Sequence, residues 1–325
     1  MDVIGIGACN LDMIAFVSKF PEAEQKINAL KYIEPKVAGV ALDAITQLSR
    51  LGINCGFIGK IGDDNLSKNI IKELKEDNID TTGIITIKDT RSSFAWIMVT
   101  PNGERCHIII PMEKGVITDI DVTMFSDYLK SSKYCHIEIL QMPLYGQISA
   151  AKLCFKNNIK VSLDLDIAPR FIYEYKYATP TELEELFSYT YLLKVCKDGV
   201  QDLSSEKDYL SASKEILYKY NPKICVITLG NEGCVGAYYD DKNNIVTFKE
   251  PTFSIVKVKD TTGAGDSFQG GFIYGLLKNW SIEKSASFGN LCASLKCQNI
   301  GARSMPYLNE IKNFIKLNNL NFELY

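Results

Sequence analysis

The sequence predicts an α/β fold of three layers (α/β/α), with a mostly parallel central sheet and a small inserted β-sheet lid. Short apolar runs alternate with helical patterns along most of the 325 residues. This alternation is typical of βαβ units, which place helices on both faces of a sheet. Two ribbon-like segments interrupt the alternation, and no linker or internal repeat divides the chain. We therefore expect one domain over residues 1–325, with the ribbons as its lid.

The elements of the core follow in order from the N-terminus. The first is a buried apolar strand at 3–7. The next is a helix whose apolar positions run from Ala41 to Leu51 and stop at Gly52, a typical C-terminal cap. Later strands are predicted at 55–58, 159–164 and 223–229, and later helices at 66–74, 146–157, 205–220, 266–279, 282–298 and 307–317. This order of elements favours a parallel sheet.

Two pairs of segments have strand patterns with no helix between their members. They are 13–18 with 27–37, and 92–99 with 105–110, the second pair forming a hairpin around 101–104. Open α/β sheets bind ligands beyond the carboxyl ends of their strands, so antiparallel ribbons there would form a lid over the ligand crevice. The lid is expected to comprise about 12–37 and 90–111.

Composition limits the possible partners and the compartment. The chain has 36 basic and 39 acidic residues and a net charge of −3, so it has no positive field suited to nucleic acid or an anionic membrane. Its ten cysteines form no C-x-x-C pair and it has only two histidines, which argues against zinc and haem sites. No secretory signal opens the sequence, and no apolar run reaches the roughly 18 residues of a membrane helix. We expect a cytoplasmic protein with reduced thiols.

The segment from Asp260 to Phe268, DTTGAGDSF, carries the chemistry. The small residues Gly263, Ala264 and Gly265 allow close backbone approach, and the helix that follows offers free N–H groups and a positive dipole end. Together they predict an anion site, most naturally for a phosphoryl group. Asp266 would lie in the first helical turn, where it could accept a proton from a hydroxyl attacking the phosphate. The local pattern alone fits a simple helix cap equally well.

This phosphate motif is neither a P-loop nor a dinucleotide fingerprint, since both glycine patterns are incomplete in the chain. DTTGAGDSF instead resembles the C-terminal signature of the ribokinase-like (PfkB-type) carbohydrate kinases. The order of other features supports the resemblance from residue 1 to about 317. Asn10-x-Asp12 follows the first strand, the glycine-led helix at 38–52 lies where that family has its N-terminal signature, and 226–233 resembles its nucleotide-binding segment. The resemblance implies a single ribokinase-like kinase domain.

The resemblance also implies roles for individual residues. Asp266 would be the general base that takes the proton of a sugar hydroxyl, and the backbone of Gly263, Ala264 and Gly265 would stabilise the transferred γ-phosphate of ATP. Substrate-binding residues would be Asn10, Asp12, Gly39, Asp43 and Arg105. Nucleotide-binding residues would be Lys194, Thr228, Gly230, Gly233, Asp260, Thr262 and Asn290. Mg²⁺ would accompany ATP, and a monovalent cation such as K⁺ would lie near Asp260, Thr262, Gly301 and Ser304.

Several positions depart from the family pattern. Asp43 and Asp166 stand where asparagine is usual. Cys196 and Gly199 stand where the family has the asparagine and glutamate that organise Mg²⁺ and phosphates, and Asp198 is expected to compensate. How the protein holds Mg²⁺ is therefore left open by the sequence.

The departures bear on the acceptor and on competing functions. Carboxylates at Asp12 and Asp43 would repel an anion, so we expect a neutral sugar or polyol, a preference that a lid arginine would reverse. One alternative is a nucleoside kinase, with Phe16, Phe94 and Trp96 as a surface for the base. Another is a catalytically impaired nucleotide-binding relative. Exposed lid edges favour a homodimer formed through the lid.

Overall fold

The computed structural model describes residues 1–139, 142–253 and 257–324. Within these residues, nine strands form a large sheet and four form a smaller one. The large sheet contains β1 (Val3–Ile6), β4 (Cys55–Gly62), β5 (Asp80–Ile87), β8 (Tyr134–Glu138), β9 (Lys160–Leu165), β10 (Leu192–Cys196), β11 (Ile224–Thr228), β12 (Cys234–Tyr239) and β13 (Ile245–Glu250). The smaller sheet contains β2 (Asn10–Phe16), β3 (Lys31–Ala38), β6 (Phe94–Val99) and β7 (Arg105–Ile110).

The order of the large sheet is β13-β12-β11-β10-β9-β8-β1-β4-β5. The seven strands from β11 to β5 run parallel, and β12 and β13 are added antiparallel at one edge. The mostly parallel sheet predicted from the sequence is thereby confirmed. Its parallel strands bring their carboxyl ends to one edge, where such sheets bind ligands.

Helices cover both faces of the large sheet. They are α1 (Val40–Arg50), α2 (Asn65–Glu76), α3 (Asp119–Met124), α4 (Ser126–Lys130), α5 (Tyr145–Lys156), α6 (Pro169–Glu174), α7 (Pro180–Ser188), α8 (Val200–Leu203), α9 (Tyr209–Tyr220), α10 (Ala264–Leu277), α11 (Ile282–Lys296) and α12 (Leu308–Leu317). Alternate side chains of β1 show the two faces. Ile4 and Ile6 pack in a core with α5, α7 and α9, whereas Val3 packs in a second core with α1, α10 and α11. The three-layer prediction is confirmed.

Two helix starts differ from the sequence pattern. The helix predicted at 205–220 begins at Tyr209, because the Asp208 side chain caps it by accepting a hydrogen bond from the amide of Ser211. The helix predicted at 266–279 begins at Ala264. The glycine segment therefore enters the first turn of α10, which shapes the site described below.

Two strands also differ from the pattern. The strand predicted at 27–37 begins only at Lys31. The apolar pattern does not predict β8, because the buried polar side chains of His136 and Glu138 interrupt it. Hydrophobic periodicity does not distinguish a central strand that contains buried polar residues from a loop.

The smaller sheet has the order β3-β2-β6-β7, with β2 and β6 parallel and the outer strands antiparallel. It begins directly after β1, since β1 ends at Ile6 and β2 starts at Asn10. Ile14 and Ile97 form a small buried cluster on one face, whereas Trp96, on the other face, is exposed. The predicted ribbons are thus neighbours in one sheet at the carboxyl end of β1.

All ten cysteines are free thiols, most of them buried. Burial raises the pKa of the Cys234 thiol to about 12, so this thiol is a packing group rather than a nucleophile. In the described ranges, no helix has the length and apolar character needed to span a membrane.

Candidate active site

The glycine segment at 263–265 forms a tight turn at the N-terminus of α10. Gly263 has a φ of 79°, a left-handed conformation that favours glycine, and a Cβ there would lie 2.5 Å from the carbonyl oxygen of Ala302. The amide of Ala264 donates to the carbonyl of Thr261 at 3.1 Å, which closes the turn. The first-turn amides of a helix have no acceptor within the helix and lie at its positive end. The turn therefore has the geometry of an anion-binding cradle.

Asp266 lies in the first turn of α10 and is almost fully buried. Burial raises the pKa of its carboxyl group well above the usual value. The neighbouring carboxylates of Asp166 and Asp43 raise it further, and Lys194 opposes them. A raised pKa makes the deprotonated carboxylate a stronger base. The effect of the Asp43 charge on the pKa of Asp266 also shows that Asp43, a predicted substrate-binding residue, lies close to Asp266.

Lys194 lies directly beneath the turn. Its Nζ donates to both carboxylate oxygens of Asp164, at 2.6 and 2.7 Å, and a Cβ on Gly265 would lie 2.9 Å from the same Nζ. Burial opposes its charge, but the surrounding carboxylates, Asp164 first, outweigh burial and raise the pKa of Lys194. The predicted nucleotide ligand Lys194 therefore supplies positive charge from a buried ion pair under the turn, not from an open surface.

A cavity of about 290 Å³ lies between the smaller sheet and the segments that flank α10 and α11. Its lining includes Asp12, Ile14, Phe16, Ile97, Arg105, Asp260, Thr262 and Gly301. This volume is close to the lower end for small-molecule pockets, which suits a compact ligand. We call it the small cavity.

Two carboxylates predicted on the acceptor side lie close together. Asp12 lines the small cavity, and burial raises its pKa to about 6. Burial also raises the pKa of Asp43 well above its usual value, the charge of Arg303 opposes this, and Asp12 adds to it. Nearby positive charge therefore does not fully balance the negative charges of these two carboxylates, and a further negative charge beside them would be unfavourable.

Asn10 and Gly39 hold the backbone around these carboxylates. Asn10 begins β2, and its side-chain oxygen accepts a hydrogen bond from the hydroxyl of Ser93. Gly39 precedes α1 with a φ of 150°, and a Cβ there would lie 2.3 Å from the carbonyl oxygen of Ala8. Gly39 therefore allows the close approach of two backbone segments that places the start of α1 beside the end of β1.

A second cavity of about 480 Å³, which we call the large cavity, brings together most of the predicted nucleotide-binding residues. It is lined by Thr228, Gly230, Gly233, Ala264, Gly265 and Asn290, among others. The amide group of Asn290 donates to the carbonyl oxygens of Glu250 and Pro251, at 3.0 and 3.2 Å. Both amide hydrogens are thereby used to fix the chain after β13, so Asn290 shapes the wall of the cavity.

Arg105 connects the smaller sheet to the segment before α10. Its guanidinium forms an ion pair with the carboxylate of Asp260 and donates to the hydroxyl of Thr262. The Asp260 carboxylate also accepts from the amides of Thr262, at 2.9 Å, and Gly301, at 2.8 Å. Burial opposes its charge, but these amide hydrogen bonds outweigh burial and lower the pKa of Asp260. Arg105 therefore lines the small cavity and at the same time binds Asp260 and Thr262 in the segment before α10.

Comparison with known proteins decides the family. The family described as pfkB family carbohydrate kinase matches residues 2–308. The chain belongs to this family. It is accordingly a phosphotransferase with an alcohol acceptor.

Two curated relatives of this kinase are named as sugar kinases, and each match covers nearly the full length of both chains. It is 26% identical to 5-dehydro-2-deoxygluconokinase of Geobacillus thermodenitrificans, over 97% of this chain and 93% of that one. It is 28% identical to ribokinase of Lactococcus lactis, over 98% of both chains. Its fold matches that of a putative ribokinase II from E. coli in complex with ATP and Mg²⁺, with a TM-score of 0.83 at 23% identity, covering 97% of this chain and 99% of that one.

Few protein side chains are available as ligands for Mg²⁺ among the described residues of this kinase. Asp198, expected to compensate for the altered family element, instead accepts from the guanidinium of Arg170 at 2.7 Å. Lys197 donates to Glu232 at 3.2 Å on the surface. Among the described residues, no group of three or more histidine, cysteine, aspartate or glutamate side chains is arranged to hold a metal ion. The described side chains therefore do not form a complete set of ligands for Mg²⁺.

Glu138, at the end of β8, organises the region around the predicted acceptor residues, and the sequence patterns did not identify it. Its two carboxylate oxygens accept from the amides of Ala8, at 2.7 Å, and Ala41, at 2.6 Å. Burial raises the pKa of Glu138 to about 7, against the effect of these two hydrogen bonds. One fully buried side chain thus joins three elements, β8, the loop after β1 and the start of α1.

Replacing Glu138 by alanine is expected to destabilise the kinase by about 2–6 kcal/mol, because two buried amides each lose an acceptor at a cost of roughly 1–3 kcal/mol. Urea unfolding of both proteins measures the difference. Glu138→Gln keeps the shape and one good acceptor, and should lie between the two. A Glu138→Ala protein as stable as the wild type would contradict this role.

Proposed function

We propose that this kinase transfers the γ-phosphate of ATP to a hydroxyl group of a neutral sugar or polyol, with Asp266 as general base and the turn at 263–265 as anion hole. The segment before α10 carries the proposal. Its Asp260 and Thr262 line the small cavity, whereas its Thr261 lines the large one, together with Ala264 and Gly265 at the start of α10. An acceptor in the small cavity and a nucleotide in the large cavity would therefore both contact this segment. Asp266 lines neither cavity, so the attacking hydroxyl would have to reach it beside the turn at 263–265.

Each part of the site has a chemical task in this proposal. The Asp266 carboxylate takes the proton of the attacking hydroxyl, and the turn amides stabilise charge on the transferred group. Lys194, beneath Gly265, adds positive charge to the same place. Phosphoryl transfer needs mainly such positioning and electrostatic stabilisation. Mg²⁺ would be held largely through the phosphate oxygens of ATP and water.

The charge of the site supports a neutral acceptor. One relative is named for a gluconate derivative, an acid, and the other for ribose, a neutral sugar. In this chain the ionised carboxyl groups of Asp12 and Asp43 would repel an acid, and an acid bound beside them would have to overcome this repulsion or drive their protonation. Arg105 does not offset them, since its guanidinium is paired with Asp260. The acceptor would thus be a compact molecule with several hydroxyl groups.

A panel of acceptors tests the proposal through a coupled assay of ADP release. Neutral sugars and polyols are expected to show a kcat/KM at least about tenfold above that of sugar acids of the same size, the factor that corresponds to about 1.4 kcal/mol of charge repulsion. Asp43→Asn should narrow this ratio, whereas Asp127→Asn, on the surface, should leave it unchanged. A preference for acids would refute the neutral acceptor. Absence of transfer to any acceptor would favour the catalytically impaired relative.

The aromatic side chains give little support to a nucleoside acceptor. Phe16 lines the small cavity. Phe94 packs in the core under the smaller sheet, and Trp96 lies on its outer, exposed face. Only one of the three predicted aromatic residues, Phe16, is therefore at the cavity to stack on a flat base.

We also propose that the smaller sheet acts as the lid over the small cavity, to which it contributes Asp12, Ile97 and Arg105. Its outer face exposes Trp96 and Ile108, which pair across β6 and β7. This apolar face supports the predicted homodimer through the lid, which stays a prediction until the mass in solution is measured.

A further inference from the structure

A fully buried lysine lies behind the phosphate-binding turn. Lys296 is the last residue of α11, and its side chain has no exposed surface. Its Nζ donates to the carbonyl oxygen of Asp260 at 3.0 Å. The chain is fixed here on both sides, because the amides of Lys259 and Asp260 donate to the carbonyl oxygen of Cys297, at 2.8 and 3.2 Å. The end of α11 and the start of the turn segment are thus one packed unit.

This ammonium is kept in the interior at an energetic cost. Lysine is almost never fully buried unless it is paired, and burial lowers the pKa of Lys296, against the negative charge of Asp260. The side chain of Arg105 brings a second positive charge to the same residue, through the Asp260 carboxylate. Two cations therefore converge on Asp260, one on its carbonyl side and one on its carboxylate.

The groups expected to bind a monovalent cation are already engaged. The Asp260 carboxylate accepts from Arg105 and from the amides of Thr262 and Gly301, and its carbonyl accepts from Lys296. The carbonyl of Gly301 accepts from the hydroxyl of Ser304 at 2.8 Å. A metal cation at this position would have to displace these donors and approach two fixed positive charges. The residues present do not fit K⁺.

We propose that the Lys296 ammonium, assisted by the Arg105 guanidinium, permanently takes the place of a monovalent cation, so that the turn at 263–265 keeps its phosphate-binding shape without potassium. This inference rests on the proposed phosphotransfer at that turn. Lys296 is a positioning residue in this role. Lys296 lines neither cavity. Its ammonium fixes the carbonyl group of Asp260, at the start of the segment that leads into the turn at 263–265.

The role predicts a specific response to cations. In buffers that contain Mg²⁺ and tetramethylammonium as the only monovalent cation, the wild type is expected to be fully active, and exchange of tetramethylammonium for K⁺ at constant ionic strength should change neither kcat nor the affinity for ADP. Lys296→Met should lower kcat by about 10²-fold, because a small displacement of the turn is enough for such a loss. Its KM for the acceptor should change little. Methylammonium or K⁺ should restore part of its kcat, a recovery that a purely structural defect would not show.

Lys284→Met is the matched control. Lys284 lies on the same helix, about 18 Å along its axis from Lys296, with its Nζ 4.4 Å from the centroid of the Trp280 ring. This variant should behave as the wild type in every buffer. A wild type that needs K⁺ for turnover, or a Lys296→Met protein with full activity in tetramethylammonium, would overturn the proposal. So would a Lys296→Met protein that folds, is inactive and does not respond to any small cation.

ADP affinity, measured by calorimetry, separates this inference from the proposed function. If no acceptor is phosphorylated, the proposed function fails, yet the wild-type ADP affinity still reports on the turn. Affinity independent of K⁺ supports the built-in cation, and affinity that rises with K⁺ refutes it. The same wild-type titration decides the matter if Lys296→Met does not fold.

Discussion

Asp266→Asn is expected to lower kcat by roughly 10²–10⁴-fold, the usual contribution of a positioned general base. The amide has nearly the same shape as the carboxylate but cannot accept the proton of the attacking hydroxyl. ATP affinity should be nearly unchanged, because the turn amides and the large cavity stay intact. Steady-state kinetics and calorimetric titration with ATP measure the two effects. Turnover at the wild-type rate in the variant would remove Asp266 from the mechanism.

The pH dependence of the wild type gives an independent check. Only the deprotonated carboxylate of Asp266 accepts a proton, so kcat should rise with pH as this group loses its own proton. Burial raises the pKa of Asp266, and the charges of Asp166 and Asp43 raise it further. The rise should therefore occur above the range of an ordinary aspartate. Asp166→Asn removes a negative neighbour, so it should lower the pKa of Asp266 and move the rise to lower pH. An unshifted profile would contradict the assignment.

Gly263→Ala is expected to have the second largest effect. The new Cβ would lie 2.5 Å from the carbonyl oxygen of Ala302, at a φ of 79° that side-chain-bearing residues rarely adopt. The turn must shift, and misplacing even one anion-hole donor costs roughly 10²–10³-fold in kcat. The strain should also cost about 1–3 kcal/mol of stability. Kinetics and urea unfolding measure both.

Gly52→Ala is the control for strain alone. Gly52 has a φ of 86°, but a Cβ there would meet no atom within 4 Å. It should lose similar stability and keep the wild-type kcat. If Gly263→Ala retained kcat while losing stability to the same extent as Gly52→Ala, the turn would not be the anion hole.

Local sequence was enough to predict the elements whose signals are short in range. The strand at 3–7, the glycine segment and Asp266 are each defined by neighbours a few residues away, and the structure starts α10 at Ala264, within the glycine segment. The family resemblance placed Thr228, Gly230 and Gly233, which the structure brings to one cavity. In these cases propensity and turn chemistry agree with the final fold.

The rest depends on contacts between distant parts of the chain. Glu138 and Lys296 are polar residues in apolar surroundings, and their partners, Ala8, Ala41 and Asp260, are far away in sequence. No periodicity reveals such pairs. An acidic residue closing an apolar run, as in the sequence YCHIE, is the only local signal for the first. For Lys296, a charge on the inward side of an apolar helix is a comparable but weaker signal.

The two cavities are built from different parts of the sequence. The lining of the small cavity, the proposed acceptor site, comes mainly from the first third of the sequence. The large cavity, the proposed nucleotide site, is built after residue 227, and the segment before α10 borders both. If the proposed sites are correct, substitutions among the early residues would change which alcohol is accepted without altering the residues that bind the nucleotide phosphates. Such modularity allows one scaffold to serve many sugars during evolution.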